Sequence, residues 1–453
     1  MSGVKHKLHN ALEGALAGGI DPVSSPLYVF GPFLKMIVTA GVAQVTLGSS
    51  LWMVIITIAA ASVMYHYVME CIGDGSGGGG LCKIEFGYRA FKFNAAIAYI
   101  EYTLIFLVGM SALMTFLADR FPVLNEQLLG MEVRILIALA LSVLIAWMVN
   151  HSPEIIAAAF IPATAGVFIL LWVMVIAVIS RTGLRLPKFN LEAFRPPYLP
   201  YTIAGYIRVL AVMAGIEMFA DLVPEYDVDG AERSKKAFRS LLIIMVTTAV
   251  TMLIVGPAIY QLADPNSEIS VFTQVMDQLL PRPVAYAGSV LGVFIFIYVC
   301  ATSMQAMQSL TQNLARNHYM PESACEENEH HALVKPVRFE LFAIILVIAL
   351  IGLSEELYLE IYDAGVFIII SLTGWAVLKH LYQEMQTSIT ARHLGTFFAS
   401  ALTTLLTTAA CVLIFIERFF EGAWIYFVIT PIFFYIFSYF HKHYRMLKKQ
   451  FSK

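Results

Sequence analysis

Runs of apolar residues recur along the whole chain, separated by short polar connections. Each run is close to the roughly 20 residues that a helix needs to cross a bilayer. They fall near residues 13–45, 48–70, 90–117, 133–150, 154–180, 199–225, 240–262, 284–315, 337–353, 357–384, 395–417 and 423–441. The pattern predicts an all-α membrane protein with twelve transmembrane helices. Two runs are interrupted, the first by "GGIDPVSSPLY" at 18–28 and the sixth by "MAGIEMFADLVPEYD" at 213–227. Glycine and proline cost helix stability, and a charge at membrane depth costs several kcal/mol more. If spans 1–5 and 6–10 are repeats, the two breaks hold matching positions. Paired broken helices of this kind point to an inverted-repeat transporter with a midplane site. The expected organisation is one transmembrane domain over 1–453. Its repeats cover about 13–181 and 199–384, helices 1 and 6 are broken, and two extra helices cover about 395–441.

Composition agrees with that reading. Of 453 residues, 59% are hydrophobic and 13% charged, and mean hydropathy is +0.74. A soluble domain is nearer half apolar and a quarter charged. The formal net charge of -3 marks no strongly charged surface, and no basic cluster suggests nucleic acid. Cys71, Cys82, Cys300, Cys325 and Cys411 are scattered without CxxC spacing, so neither a disulfide framework nor a zinc site is expected. The start, "MSGVKHKLHNALEG", lacks the apolar core of a removable signal. An even number of spans puts both termini on one side. That side carries Lys5, Lys7, Arg233, Lys235, Lys236, Arg239 and the tail's Lys442, Arg445, Lys448, Lys449 and Lys453, among others. The opposite side carries fewer basic residues, with Arg181, Arg185, Lys188 and Arg195 in one segment. The excess predicts cytoplasmic termini in a plasma membrane.

Polar residues inside the spans are the candidate chemistry. Asp21 lies between Gly19 and Pro22, where opened backbone and a carboxylate would make a negative, oxygen-rich pocket. Such a pocket suits a desolvated monovalent cation or an ammonium group and repels a free carboxylate. Glu217 is well inside span 6, and burial disfavours its charged form, which makes it a candidate proton carrier. Asp221, four residues on, reads as a solvated cap or gate residue nearer the cytoplasm. Glu101 and Tyr102 interrupt span 3, and helical geometry lets at most one of them face the bundle. Tyr362 and Asp363 repeat that pair in span 10. Lys35 either pairs with one of these acids or snorkels outward. "GDGSGGGG" at 73–80 contains GxGxxG at Gly73, Gly75 and Gly78, but no strand precedes it and no GK[ST] follows. It reads as a flexible connection between spans 2 and 3. Cys325, His330 and His331 in "CEENEHH" read as a solvated loop. No Ser/His/Asp set occurs at a common depth, so no enzyme is expected.

Several stretches resemble the amino acid–polyamine–organocation superfamily, and within it the KUP-type potassium permeases of the small bacterial proton-coupled branch. "LYLEIYDAGVFIIISLTGWAVLKH" (357–380) is close to that branch's "LIPLYAVGVFIxFTLSQTGM". "NLARNHYMP" (313–321) matches the wider signature "NLARDxxMP", "AGIEMFADLVPEY" parallels "TGVEAISNAVPxF", and the glycines at 77–80 parallel "QGGGAY". The resemblance implies a LeuT-like 5+5 inverted repeat and a cation site. Carried over position by position, that site falls on Asp21 and Tyr28, on Tyr102, on Glu217 and on Tyr362. Ile105, Gly109 and Ala214 stand where the family has hydroxyls. Ser24, Ser25 or backbone carbonyls then have to replace those ligands, or the cargo is another cation or an organic amine. The family's soluble C-terminal domain is expected to be absent, because the chain ends soon after span 12.

The leading expectation is a secondary importer of potassium by proton symport in the bacterial inner membrane. Asp21, Tyr28, Tyr102, Glu217 and Tyr362 would coordinate the cation with help from Ser24 and Ser25. Glu217 and Asp21 would couple the proton. No cofactor is expected beyond the transported potassium and protons. Expected partners are the lipid bilayer, the small cation and a possible second copy in a homodimer. Two alternatives stand beside it: an amine, polyamine or amino-acid permease on the same fold, and a transporter-like sensor without flux.

Overall fold

The computed structural model describes residues 7–128, 130–228, 230–330 and 332–451, without the side chains of 153–155, 157–158 and 445–451. Lys5, His331 and Lys453, and the side chains of Arg445, Lys448 and Lys449, therefore lie outside the described residues.

The first apolar run becomes three consecutive helices: α1 (Ala11–Gly18), α2 (Ile20–Ser24) and α3 (Pro26–Thr39). After them come α4 (Ala43–Cys71), α5 (Gly77–Phe86), α6 (Tyr88–Ala118), α7 (Val133–His151) and α8 (Pro153–Thr182). The sixth run is divided into α9 (Leu199–Leu210), a 3-10 turn at Ala211–Met213 and the short α10 (Met218–Asp221). The remainder is α11 (Ala231–Leu262), α12 (Val271–Leu279), α13 (Arg282–Arg316), α14 (Val334–Ile351), α15 (Glu355–Thr387), α16 (Ala391–Arg418) and α17 (Ile425–Phe451). A two-residue hairpin pairs Gln127–Leu128 with Met131–Glu132.

Ten segments of the described chain are long and apolar enough to cross a membrane. Two of the twelve expected spans are not among them. The first is divided, and its longest piece, α3, has 14 residues. The ninth, α14, carries Lys335, Arg338 and Glu340 within 18 residues.

Burial separates an inner group of helices from an outer one. In α15, 83% of the apolar window is buried, and in α6 72%, whereas in α17 the figure is 17%. Where lipid is as apolar as the side chains, close backbone approach holds helices together, and small residues permit it. Gly292 of α13 faces Phe116 of α6 so closely that a Cβ there would lie 2.7 Å from the ring. Gly205 of α9 meets Phe33 of α3 in the same way.

The structure corrects one sequence reading and adds one element. "GDGSGGGG" is not a loop throughout, because Gly77 to Gly80 open the ten-residue helix α5. Each glycine costs about 1 kcal/mol in a helix, and tertiary packing overrides that preference here. A Cβ at Gly77 would collide with Asp221 Oδ1, and one at Gly78 with Thr373 Oγ1 of α15. Only glycine lets this helix start so close to its neighbours. α12 is the added element, a nine-residue helix with six residues buried that is too short to register as a span.

Candidate functional site

The two helix breaks meet. Gly215 lies in the non-helical stretch between α9 and α10 with φ +81, a conformation that disfavours other residues. A Cβ there would lie 2.9 Å from Pro22 Cδ and 3.0 Å from Asp21 Cβ. Glycine thus brings the break of the sixth run against the break of the first.

The first break is narrower than the composition suggests. Helical bonds continue on both sides of Gly19 and Ser25: Val23 N donates to Gly19 O, Ser25 N to Asp21 O and Val29 N to Ser25 O. Ser24 Oγ and Ser25 Oγ donate to the Asp21 carbonyl at 3.0 and 2.7 Å. Ser25 Oγ also lies 3.2 Å from the Tyr28 hydroxyl. The serine hydrogens therefore close the local helix turn, which leaves their lone pairs and that of Tyr28 to accept. The sixth run opens more fully, with no regular α-helical turn between Leu210 and Met218.

Asp21 is buried, and its carboxylate accepts no hydrogen bond from the described residues. Glu217 Oε2, Glu101 Oε1 and Asp363 Oδ1 are buried without a partner. Asp21, Glu101 and Glu217 lie within electrostatic range of one another, and Tyr362 within range of all three. Tyr102 lies within range of the same acids and of Asp221. Tyr28, Tyr362 and Glu101 are buried, while Tyr102 and Glu217 are partly exposed. The five residues carried over from the resemblance are therefore gathered in one region.

Glu101 is the residue that the sequence reading left out of the set. At most one neighbour of the 101–102 pair is expected to face the bundle; Glu101 is buried and Tyr102 partly exposed, and both lie within range of Asp21 and Glu217. A carboxylate beside the tyrosine was the available signal. Lys35 resolves the other way: it is exposed on α3 and pairs with none of the described acids.

Access to the region is asymmetric. Asp221 is exposed, Glu217 is partly so, and Asp21 is only 7% exposed. On the other side, Glu360 Oε1 accepts from Arg208 of α9 at 3.1 Å and pairs with Arg418 of α16 at 2.8 Å. Buried or nearly buried ion pairs thus join three helices across that end.

Long apolar helices, two of them interrupted where they meet beside buried acids, define a multi-pass membrane protein. Residues 22–437 match the amino acid permease family, and the chain belongs to that family of transporters. It is also similar to the potassium transporter KimA of Bacillus subtilis (strain 168), at 22% identity over 411 residues. That stretch covers 88% of this chain and 64% of the relative, so the chain spans less than two thirds of KimA's length.

Proposed function

We propose that this protein is a secondary transporter importing a monovalent cation, with potassium by proton symport as the leading reading. The observation that carries it is the set of buried or partly buried acids Asp21, Glu101 and Glu217 beside Tyr28, Tyr102 and Tyr362, with no basic side chain among the described residues paired to them. Carboxylates in an apolar interior attract a cation or a proton and repel an anion. Three acids exceed the charge of one potassium ion, so the others hold protons when one ion is bound. Glu217, partly exposed between Asp21 and Asp221, is the proton carrier in this scheme, with Asp21 coupled to it. The similarity to KimA supports potassium as cargo. A 5+5 inverted repeat with two extra helices accounts for the meeting of the two breaks. We place both termini in the cytoplasm of a bacterial inner membrane, with Asp221 on the inward path.

The test is rubidium uptake into proteoliposomes under an imposed pH gradient. Uptake that rises with inward proton flow is expected. Absent uptake, or uptake indifferent to the gradient, overturns the reading.

A second reading, a permease for organic amines or polyamines, is favoured by one observation. Hydroxyl ligands are missing at Ile105, Gly109 and Ala214, where the family that the chain resembles has them. A carrier of ammonium groups needs acids and aromatic faces more than a full oxygen cage. Thermal stabilisation by polyamines, with none by potassium, distinguishes it.

A further inference from the structure

Glu340 lies on α14, outside the acid set described above. It is fully buried, and neither Oε1 nor Oε2 has a hydrogen-bond partner. α14 packs against α6, α7, α13 and the 3-10 turn at Glu322–Cys325. From α13, Ser303 stands next to the carboxyl, and Cys300 is within electrostatic range. From α6, Tyr99 is within range, but its hydroxyl is engaged with Thr311 Oγ1 at 2.5 Å. From the turn, Cys325 Sγ is directed to Thr311 O at 3.7 Å. The ionisable groups of α7 stand at its ends, where Arg134 pairs with Glu132 and His151 is exposed. On α14 itself, Lys335 is held by Ser323 O and Glu326, and Arg338 is exposed. No described basic group pairs with Glu340.

The orientation of Ser303 is the informative detail. Its Oγ donates to Cys300 O at 2.8 Å, so its single hydrogen is spent. What it offers to Glu340 is a lone pair. A carboxylate has no hydrogen to meet that lone pair, whereas a carboxylic acid has one. An isolated buried carboxyl without a cation takes up a proton rather than remaining charged.

We propose that Glu340 is a second proton-holding site, a carboxylic acid between α13 and α14 with the lone pair of the neighbouring Ser303 Oγ as the acceptor its O–H can turn to.

Infrared difference spectra of the purified full chain in detergent, titrated from acid to alkaline pH, test the proposal. The expected result is a protonated-carboxyl band that persists at neutral pH, is retained in Glu217→Gln and is lost in Glu340→Gln. A Glu340→Gln spectrum identical to wild type at neutral pH overturns it. Should that variant fail to fold, Ser303→Ala keeps the acid and removes its acceptor. The band is then expected to move to higher frequency, and an unmoved band overturns the assignment. The measurement needs no uptake, so it is decided separately from the identity of the cargo.

Discussion

Glu360 and Asp363 stand three residues apart on α15, yet they are treated in opposite ways. Glu360 is held by Arg208 and Arg418, reaching it from α9 and α16. Asp363 keeps an oxygen without a partner, as Glu101 and Glu217 do, and Asp21 accepts no bond. A charged group inside a membrane protein costs free energy unless it is paired. The paired acid ties three helices together at one end of the region. The unpaired acids make no such tie, and under the proposed function they are the ones that meet a ligand or a proton. Pairing, more than burial or depth, separates the two groups.

The largest effect that tests this contrast is expected from Glu360→Gln. It leaves Arg208, whose Nε already lacks a partner, facing Arg418 without the shared anion. Breaking a buried pair in this way costs about 3 kcal/mol, read as a lower melting temperature in detergent. A variant as stable as wild type would break the comparison.

Asp21→Asn is expected to behave in the reverse manner. It removes a buried charge that has no partner, so the melting temperature should hold or rise. Cargo binding should fall at least about tenfold, equivalent to ~1.4 kcal/mol, read by uptake or by loss of ligand-induced stabilisation. A destabilised Asp21→Asn with intact binding would assign Asp21 to the fold instead.

The smallest effect belongs to the rim. Arg392 reaches Glu70 across α16 and α4, but its side chain is 64% exposed. Exposed pairs contribute roughly 0 to 1 kcal/mol. Arg392→Ala should therefore shift melting little and leave uptake unchanged. A large loss would show that pairing matters even where water screens it.

Much of the candidate site is legible in the sequence because its residues break a strong pattern. An acid or a tyrosine inside an apolar run is costly, so Asp21, Tyr102, Glu217 and Tyr362 stand out individually, whereas Tyr28 enters only through the family resemblance. Glu101 was weighed with its neighbour and set aside by a rule for helices with one inward face. The structure buries Glu101 and leaves Tyr102 partly exposed. Ser24 and Ser25 are candidate replacement ligands, and their hydrogens turn back to the Asp21 carbonyl, which leaves their lone pairs to accept. That choice depends on a few ångströms of local geometry and has no counterpart in composition.

By itself, the sequence determined that this is a membrane protein built of apolar helices. It also determined that two runs are interrupted and that certain acids must be accommodated at depth. Those are matters of local free energy, in which each residue's transfer and helix preferences act along the chain. Only the tertiary structure decided that the two breaks touch at Gly215, that four adjacent glycines form a helix against Asp221 and Thr373, and which acids are paired. These outcomes depend on contacts between residues up to about three hundred positions apart, such as Gly78 and Thr373, whose geometry is fixed only when the helices pack.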